Sequence, residues 1–262
     1  MVRAIVYLLL SGLLFPSLGW CQDGGPYQVN VPRIVGYTGT GLGLTVTSRI
    51  IKSRIETVPL STIELGTVPS FDRWSVRVAT ARPANVSDAT LLSSAALPGL
   101  LLLHRKSRNN AGKIGLLYFE AMLINYGLTD LVKTTALRPR PFLRATDLPG
   151  DTPVDHNGLA SYFSGHTSGS ATACFFFAQV FQDYYPDSPW RYGVWATAAT
   201  LPAVTGYLRI RAGKHYLSDV VSGYLVGGAI GMLIPILHKK PITERRLNVS
   251  PSIGGVHLSW QF

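Results

Sequence analysis

Apolar residues gather in five stretches along this chain: Ala89 to Leu103, Ile114 to Val132, Thr167 to Phe181, Gly193 to Leu208 and Val220 to Leu237. Polar segments rich in Arg, Lys and Pro separate them. None runs to about 20 residues without interruption, so each is short for a clean bilayer crossing. Glu120, Asp130 and Gln179 fall inside the stretches or near their ends. Two all-α architectures fit this pattern. One is a compact helical bundle with buried polar spots. The other is a membrane bundle whose helices end at a polar site. Five such stretches in one small chain are many for a water-soluble fold, so the pattern predicts the membrane bundle.

The flanks read differently. Met1-Val2-Arg3 followed by apolar Ala4 to Leu18 has the charge and length of a secretory signal, with Ser17-Leu18-Gly19 as a cleavage site and an uncleaved anchor as the alternative. Either way the chain is expected to be exported or inserted. Asp23 to Pro32 reads as a polar linker. Ile34 to Ile51, diluted by Gly and Thr and closed by Arg49, has weak helical or strand character and is expected not to span. A short amphipathic helix is predicted around Phe71 to Ala81, and Ser87-Asp88 is a helix N-cap signal. In the tail, Val256, Leu258, Trp260 and Phe262 alternate with polar residues, and Ile253-Gly254-Gly255 offers the turn of a small β-hairpin. A barrel needs about eight strands or more, which the chain does not supply. The predicted division is 1–20 leader or anchor, 21–86 linker and amphipathic region, 87–238 helical domain and 239–262 basic tail.

Composition narrows the partners. The 262 residues are 47% hydrophobic, and the mean hydropathy of +0.21 lies above a typical soluble enzyme and below a transporter made only of spans. The net charge of +10 comes from 24 Lys+Arg against 14 Asp+Glu. The cations cluster between apolar stretches, which fits membrane-flanking loops and an anionic substrate, and no nucleic-acid motif is present. The two cysteines, Cys21 and Cys174, show no metal-ligand spacing. Nothing in the chain sets an oligomeric state.

The polar segments carry the candidate chemistry. Cleaving a phosphate ester requires fixed cations around the non-bridging oxygens, an in-line nucleophile and an acid for the leaving oxygen. Lys133, Arg140 and Arg209 are candidate donors. Ser164 and Gly165 precede an apolar stretch, where backbone N–H groups and a helix N-terminus make an anion site. His215 and Asp219, four apart, share one face of a helix start, where the carboxylate can hold one imidazole nitrogen and leave the other to attack. His166 beside the anion site is placed to protonate a leaving group. Each signal alone is weak; their joint order is specific.

That order resembles the type 2 phosphatidic acid phosphatase and vanadium haloperoxidase superfamily, whose pattern is Lys-x6-Arg-Pro, Pro-Ser-Gly-His and Ser-Arg-x5-His-x3-Asp. Lys133 to Arg140-Pro141 fits the first part. Ser164-Gly165-His166 fits the second, with Phe163 in place of Pro. Arg209, His215 and Asp219 fit the third, with Leu208 in place of Ser. Phe71-Asp72-Arg73-Trp74, Ser87-Asp88 and Gly213-Lys214-His215 are similar to the bacterial membrane-associated branch. The resemblance covers roughly Ser87 to His238. It implies an all-helical bundle, a phosphohistidine on His215, His166 as acid, and neither metal nor cofactor. Arg138 has no counterpart and is expected to be a spare phosphate contact or a solvated charge.

The expected activity is hydrolysis of a phosphorylated lipid: phosphatidate, phosphatidylglycerol phosphate, a polyprenyl diphosphate or lipid A. The expected location is the bacterial inner membrane, with the site facing the periplasm. A soluble periplasmic acid phosphatase is the alternative, and a vanadate-dependent haloperoxidase comes third.

Overall fold

The structure is a computed structural model that describes residues 25–77, 83–144, 148–240, 247–252 and 255–260. The expected leader, Cys21, residues 78–81 of the expected amphipathic helix, and Ile253 and Gly254 lie outside them.

The first helix of the described residues is α1 (Val31–Lys52), whose N-cap Asn30 accepts from the Arg33 N–H. A two-residue strand β1 (Val58–Pro59) follows, then a 3-10 turn and the short α2 (Arg73–Arg77). Helix α3 (Pro83–Ala96) continues as a 3-10 segment to Leu103. After α4 (Arg105–Arg108) comes α5 (Ala111–Ala136). Strand β2 (Pro153–Val154) pairs with β1, and α6 (His156–Leu159) leads to α7 (Gly165–Tyr184), α8 (Trp190–Arg211) and α9 (Leu217–Leu237). Each of the five apolar stretches falls within one of these helical elements. The tail forms the predicted hairpin: β3 (Leu247–Ser252) pairs antiparallel with β4 (Gly255–Trp260), from Leu247 opposite Trp260 to Ser252 opposite Gly255.

Of its two expected forms, Ile34 to Ile51 takes the helical one. It is one continuous helix within α1, whose 22 residues extend about 33 Å. It runs parallel to α5, with Ser48 donating to Asp130 at 3.0 Å and a side chain at Gly127 meeting the Gly41 carbonyl at 2.9 Å. Glycines that weaken an isolated helix here allow two backbones to approach, so packing overrides propensity.

Among the described residues six long elements alternate in direction, and one of them, α7, touches α3, α5, α8 and α9 and is buried along most of its length. Leu117, Ala121, Phe176, Val180, Tyr184 and Ile234 form the main core. Hydroxyl pairs cross between helices: Ser94 with Ser170 at 2.6 Å, Thr90 with Thr205 at 3.0 Å, Thr129 with Ser168 at 3.2 Å. Along α9, a side chain at Gly223, Gly227 or Gly231 would meet the carbonyls of Ser164, Ser168 or Thr172 at 2.6, 2.1 and 2.4 Å. Small residues at spacing four thus bring α9 against the backbone of α7, as in membrane helix pairs.

Large apolar side chains remain exposed on the outer faces, among them Val46 and Ile50 of α1, Leu92 of α3, and Leu225 and Leu233 of α9. Asn85–Leu103 and Leu217–Leu237 are long and apolar enough to cross a membrane. One end of the bundle gathers the ends of α1, α5 and α8 and the starts of α3, α7 and α9. The other is closed by residues 26–28 pairing with 238–240, where Gln28 donates to the His238 carbonyl and Tyr27 to Asp183.

Candidate active site

The first of these ends collects the polar residues singled out in the sequence. His215 stands just before α9 and is 1% exposed. Its Nδ1 lies 2.7 Å from the Ser161 carbonyl and 3.6 Å from Asp219 Oδ2. A carbonyl only accepts, so Nδ1 carries the proton and Nε2 keeps its lone pair. The carbonyl of Ser161, not the Asp219 carboxylate, is therefore the direct partner of the ring, a correction to the expected pairing. Asp219 supports it from behind: Oδ2 accepts from Ser161 Oγ at 2.5 Å and from the Tyr216 N–H at 2.8 Å. Burial, followed by the positive charges of Arg140, Lys133 and Arg209, holds the His215 imidazole well below its usual range, with the Ser161 bond opposing. The ring is neutral at pH 7.

Three cations surround it. Lys133 lies in the last turn of α5. Leu137 caps that helix in the left-handed conformation, with φ 41° and ψ 42°, and reverses the chain so that Arg140 returns to the site. Arg140 donates to the carbonyls of Asn157 at 2.6 Å and Lys214 at 3.1 Å. Burial and the neighbouring Arg209 lower it to about 10, so it stays charged at neutral pH. Arg209, on the last turn of α8, is 7% exposed and donates to Ser87 Oγ at 3.1 Å. Its buried Nε has no acceptor among the described residues.

Ser164 is the N-cap of α7, with its hydroxyl 3.4 Å from the Thr167 N–H. Its own N–H is not available to an anion, because it donates to the Asp219 carbonyl at 3.0 Å. That corrects the expectation that Ser164 and Gly165 both offer their amides. The donors left at this helix start are those of the first turn from Gly165. Gly165 packs against α5, where a side chain would stand 3.2 Å from Thr129 Cγ2 and 3.8 Å from Lys133 Nζ. His166 follows at the rim, with Nε2 2.7 Å from Asp88 Oδ1.

Ser87 and Asp88 lie inside α3 rather than capping it, which corrects the reading of that pair as a helix N-cap. They face the site, Ser87 holding Arg209 and Asp88 meeting both His166 and Arg209, the latter at 3.8 Å. Arg138 is neither a spare phosphate contact nor a solvated charge. It bridges two buried carboxylates, Asp72 at 2.7 Å and Asp219, and lies over the Tyr216 ring. Asp72 in turn accepts from the Ser218 N–H at 2.9 Å and its hydroxyl at 2.7 Å, and Ser75 Oγ accepts from the Leu217 N–H at 2.9 Å. The segment read as amphipathic thus caps α9. The spacing of Asp72 and Ser75, matched to two consecutive helix-start amides, is visible only in three dimensions.

A cavity of about 310 Å³ opens beside the cations. Arg140, Arg209 and Lys214 line it together with Leu143, Leu148 and Val154. Lys214 Nζ sits 4.7 Å over the Phe142 ring. Among the described residues no group of three or more His, Cys, Asp or Glu side chains is placed to hold a metal.

Residues 114–242 match the sequence model of the PAP2 superfamily. Two solved structures are similar to the chain. One is described as the first transmembrane PAP2 type phosphatidylglycerolphosphate phosphatase from Bacillus subtilis, at 18% identity and TM-score 0.47, covering 76% of this chain and 95% of that one. The other is LpxE of Aquifex aeolicus, at 21% identity and TM-score 0.39, covering 72% and 92%. No curated protein matches the chain.

Proposed function

From a chain whose residues 114–242 form a PAP2-superfamily domain, we propose a membrane phosphatase that cleaves a lipid phosphate or diphosphate through a phosphohistidine on His215. One observation carries this reading: a neutral buried imidazole with Nε2 free, set among three fixed cations. Nε2 attacks phosphorus and the bond to the leaving oxygen breaks. Lys133, Arg140 and Arg209 hold the equatorial oxygens, and the unpartnered Arg209 Nε finds its acceptor there. The charge gained by the ring rests on Ser161 and Asp219. The His166 imidazolium, its Nε2–H held by Asp88, gives the Nδ1 proton to the leaving oxygen, and Nδ1 then takes one from the water that hydrolyses the phosphohistidine. A lipid substrate is supported by the exposed apolar faces and the half-apolar cavity. Phosphatidate, phosphatidylglycerol phosphate, a polyprenyl diphosphate and lipid A are the candidates.

The test is phosphate release from lipid and water-soluble phosphates by purified protein, with radiolabelled phosphate trapped on the enzyme. The trapped label should resist alkali, yield to acid and vanish in His215→Ala. Release from soluble esters alone, by protein that needs no detergent, would point instead to a soluble acid phosphatase.

We place the site on the periplasmic face. The opposite end of the bundle carries Arg105, Lys106, Arg108 and Lys113, with Lys239 and Lys240 after α9, and such loops stay cytoplasmic. Helix α1 sharpens this proposal. Val31 starts it at that same basic end, so an outward site requires the residues just before Val31 to lie inside, and a cleaved, exported leader requires the site to face inward. Single cysteines at Asn109 and Gly150 in a Cys-free background distinguish the two. An impermeant maleimide on spheroplasts should label 150 and spare 109. The reverse would establish an exported start, and labelling of both would mean a soluble periplasmic protein.

A further inference from the structure

We propose that Asp72, which lies outside the family-matched residues, is a positioning residue that sets the charge on the His215–Asp219 pair through Arg138; this rests on the reading of His215 as the nucleophile. Asp72 is fully buried, 66 residues from Arg138 in sequence, and its Oδ2 accepts from Arg138 Nη2 at 2.7 Å. The other guanidinium nitrogen, Nη1, donates to Asp219 Oδ1 and to Ser218 Oγ at 2.8 Å. The remaining Asp219 oxygen holds Ser161, whose carbonyl holds the His215 ring.

The physical reason concerns how one cation is shared. If Asp219 alone faced Arg138, the pair would be neutral and would do little for a positive charge on His215. The second carboxylate compensates Arg138, so the group of three keeps a net charge of −1 behind the ring. The other charges acting on His215 are cations: Lys133 from α5, Arg140 from the loop after it, and Arg209 from α8, with the neighbouring Lys214 ammonium set over the Phe142 ring. His166 and Asp88 form a separate pair at the rim. The Asp72 charge is thus what balances this cationic site when attack makes the ring positive. Asp72 also fixes the start of α9 through Ser218, so one side chain sets both the position and the field of the nucleophile.

The experiment reads the acid limb of kcat, which reports the enzyme–substrate complex. Asp72→Asn removes a negative charge, so protonated His215 becomes less favourable. The limb should move down by about half a pH unit or more, with kcat lower by about tenfold and KM within about threefold. Arg138→Gln removes a positive charge from the same chain, and its limb should move up. Damage to packing alone does not produce shifts of opposite sign. Ser75→Ala is the structural control: it removes the neighbouring cap of α9 without changing charge, and should lower Tm while leaving the limb in place. Asp72→Glu, which keeps the charge, should restore the wild-type limb. The proposal is overturned if Asp72→Asn behaves as Ser75→Ala does, or if Arg138→Gln leaves the limb unmoved or lowers it. Should Asp72→Asn fail to fold, the Arg138→Gln shift decides alone. Loss of labelled enzyme in His215→Ala tests the underlying reading separately, so a dead His215→Ala with unshifted limbs rejects only the role of Asp72.

Discussion

Two histidines meet at this site in opposite surroundings. His215 is 1% exposed, tied by Nδ1 to a backbone carbonyl and faced by cations. The His166 side chain is 29% exposed and tied by Nε2 to Asp88, itself 43% exposed. One ring is kept neutral and immobile, as a nucleophile requires. The other has a carboxylate and access to water, as a proton carrier requires. The same side chain suits two proposed roles because His215 is packed in the interior while the His166 side chain stays partly open to solvent.

Removing the buried ring should separate the two most sharply. His215→Ala is expected to lose several orders of magnitude in phosphate release, as covalent nucleophiles do. Retention of more than about a tenth of wild-type turnover would erase the distinction. His166→Ala should lose about 10²- to 10⁴-fold on alkyl phosphates and much less on nitrophenyl phosphate, whose leaving group needs no proton. Equal losses on both esters would mean that His166 is not the acid. Asp88→Asn is expected to be milder, about tenfold on alkyl esters, because its partner stays in contact with water. A loss matching that of His166→Ala would make the pair a single unit.

The smallest effect concerns stability. The His215 pKa is depressed in the folded protein, so below its ordinary value of about 6.5 the unfolded chain binds a proton that the native ring refuses. Stability should fall as pH drops from about 6.5 toward the folded value, by up to about 1.4 kcal/mol per pH unit. In His215→Asn, thermal scans between pH 6.5 and 5 should show a shallower decline than wild type. An unchanged slope would show that the ring is not held neutral by the fold.

The five helices that carry the site were legible as apolar runs, because burial and lipid both demand them. Lys133, Arg140, Ser164, Gly165, His166, Arg209, His215 and Asp219 were legible by order and residue type, and the bundle brings the ends that carry them together. The supports were not. Asp72 lies 66 residues from Arg138, and Arg138 lies 81 from Asp219, so no local pattern links them. Ser161 acts mainly through its carbonyl, which every residue possesses. Helix α1 was only weakly legible because Gly and Thr lower its intrinsic propensity, and its packing against α5 supplies what the sequence pattern lacks. Gly223, Gly227 and Gly231 were readable at spacing four as a close-packing face, a signal the apolar pattern alone passes over.

That face of α9 has a consequence for how the protein varies. Because carbonyls of α7 occupy the space a methyl group would take, α9 has no slack in which to slide, and the proposed nucleophile His215 stands just before its first turn. Gly231 stands about 18 Å along the helix from Asp219. An alanine there would push the whole rod and shift His215 relative to the start of α7. Inherited changes deep in the apolar layer, far from any substrate, would then surface as altered turnover. A survey of variants sorted by distance from the chemistry would misread them.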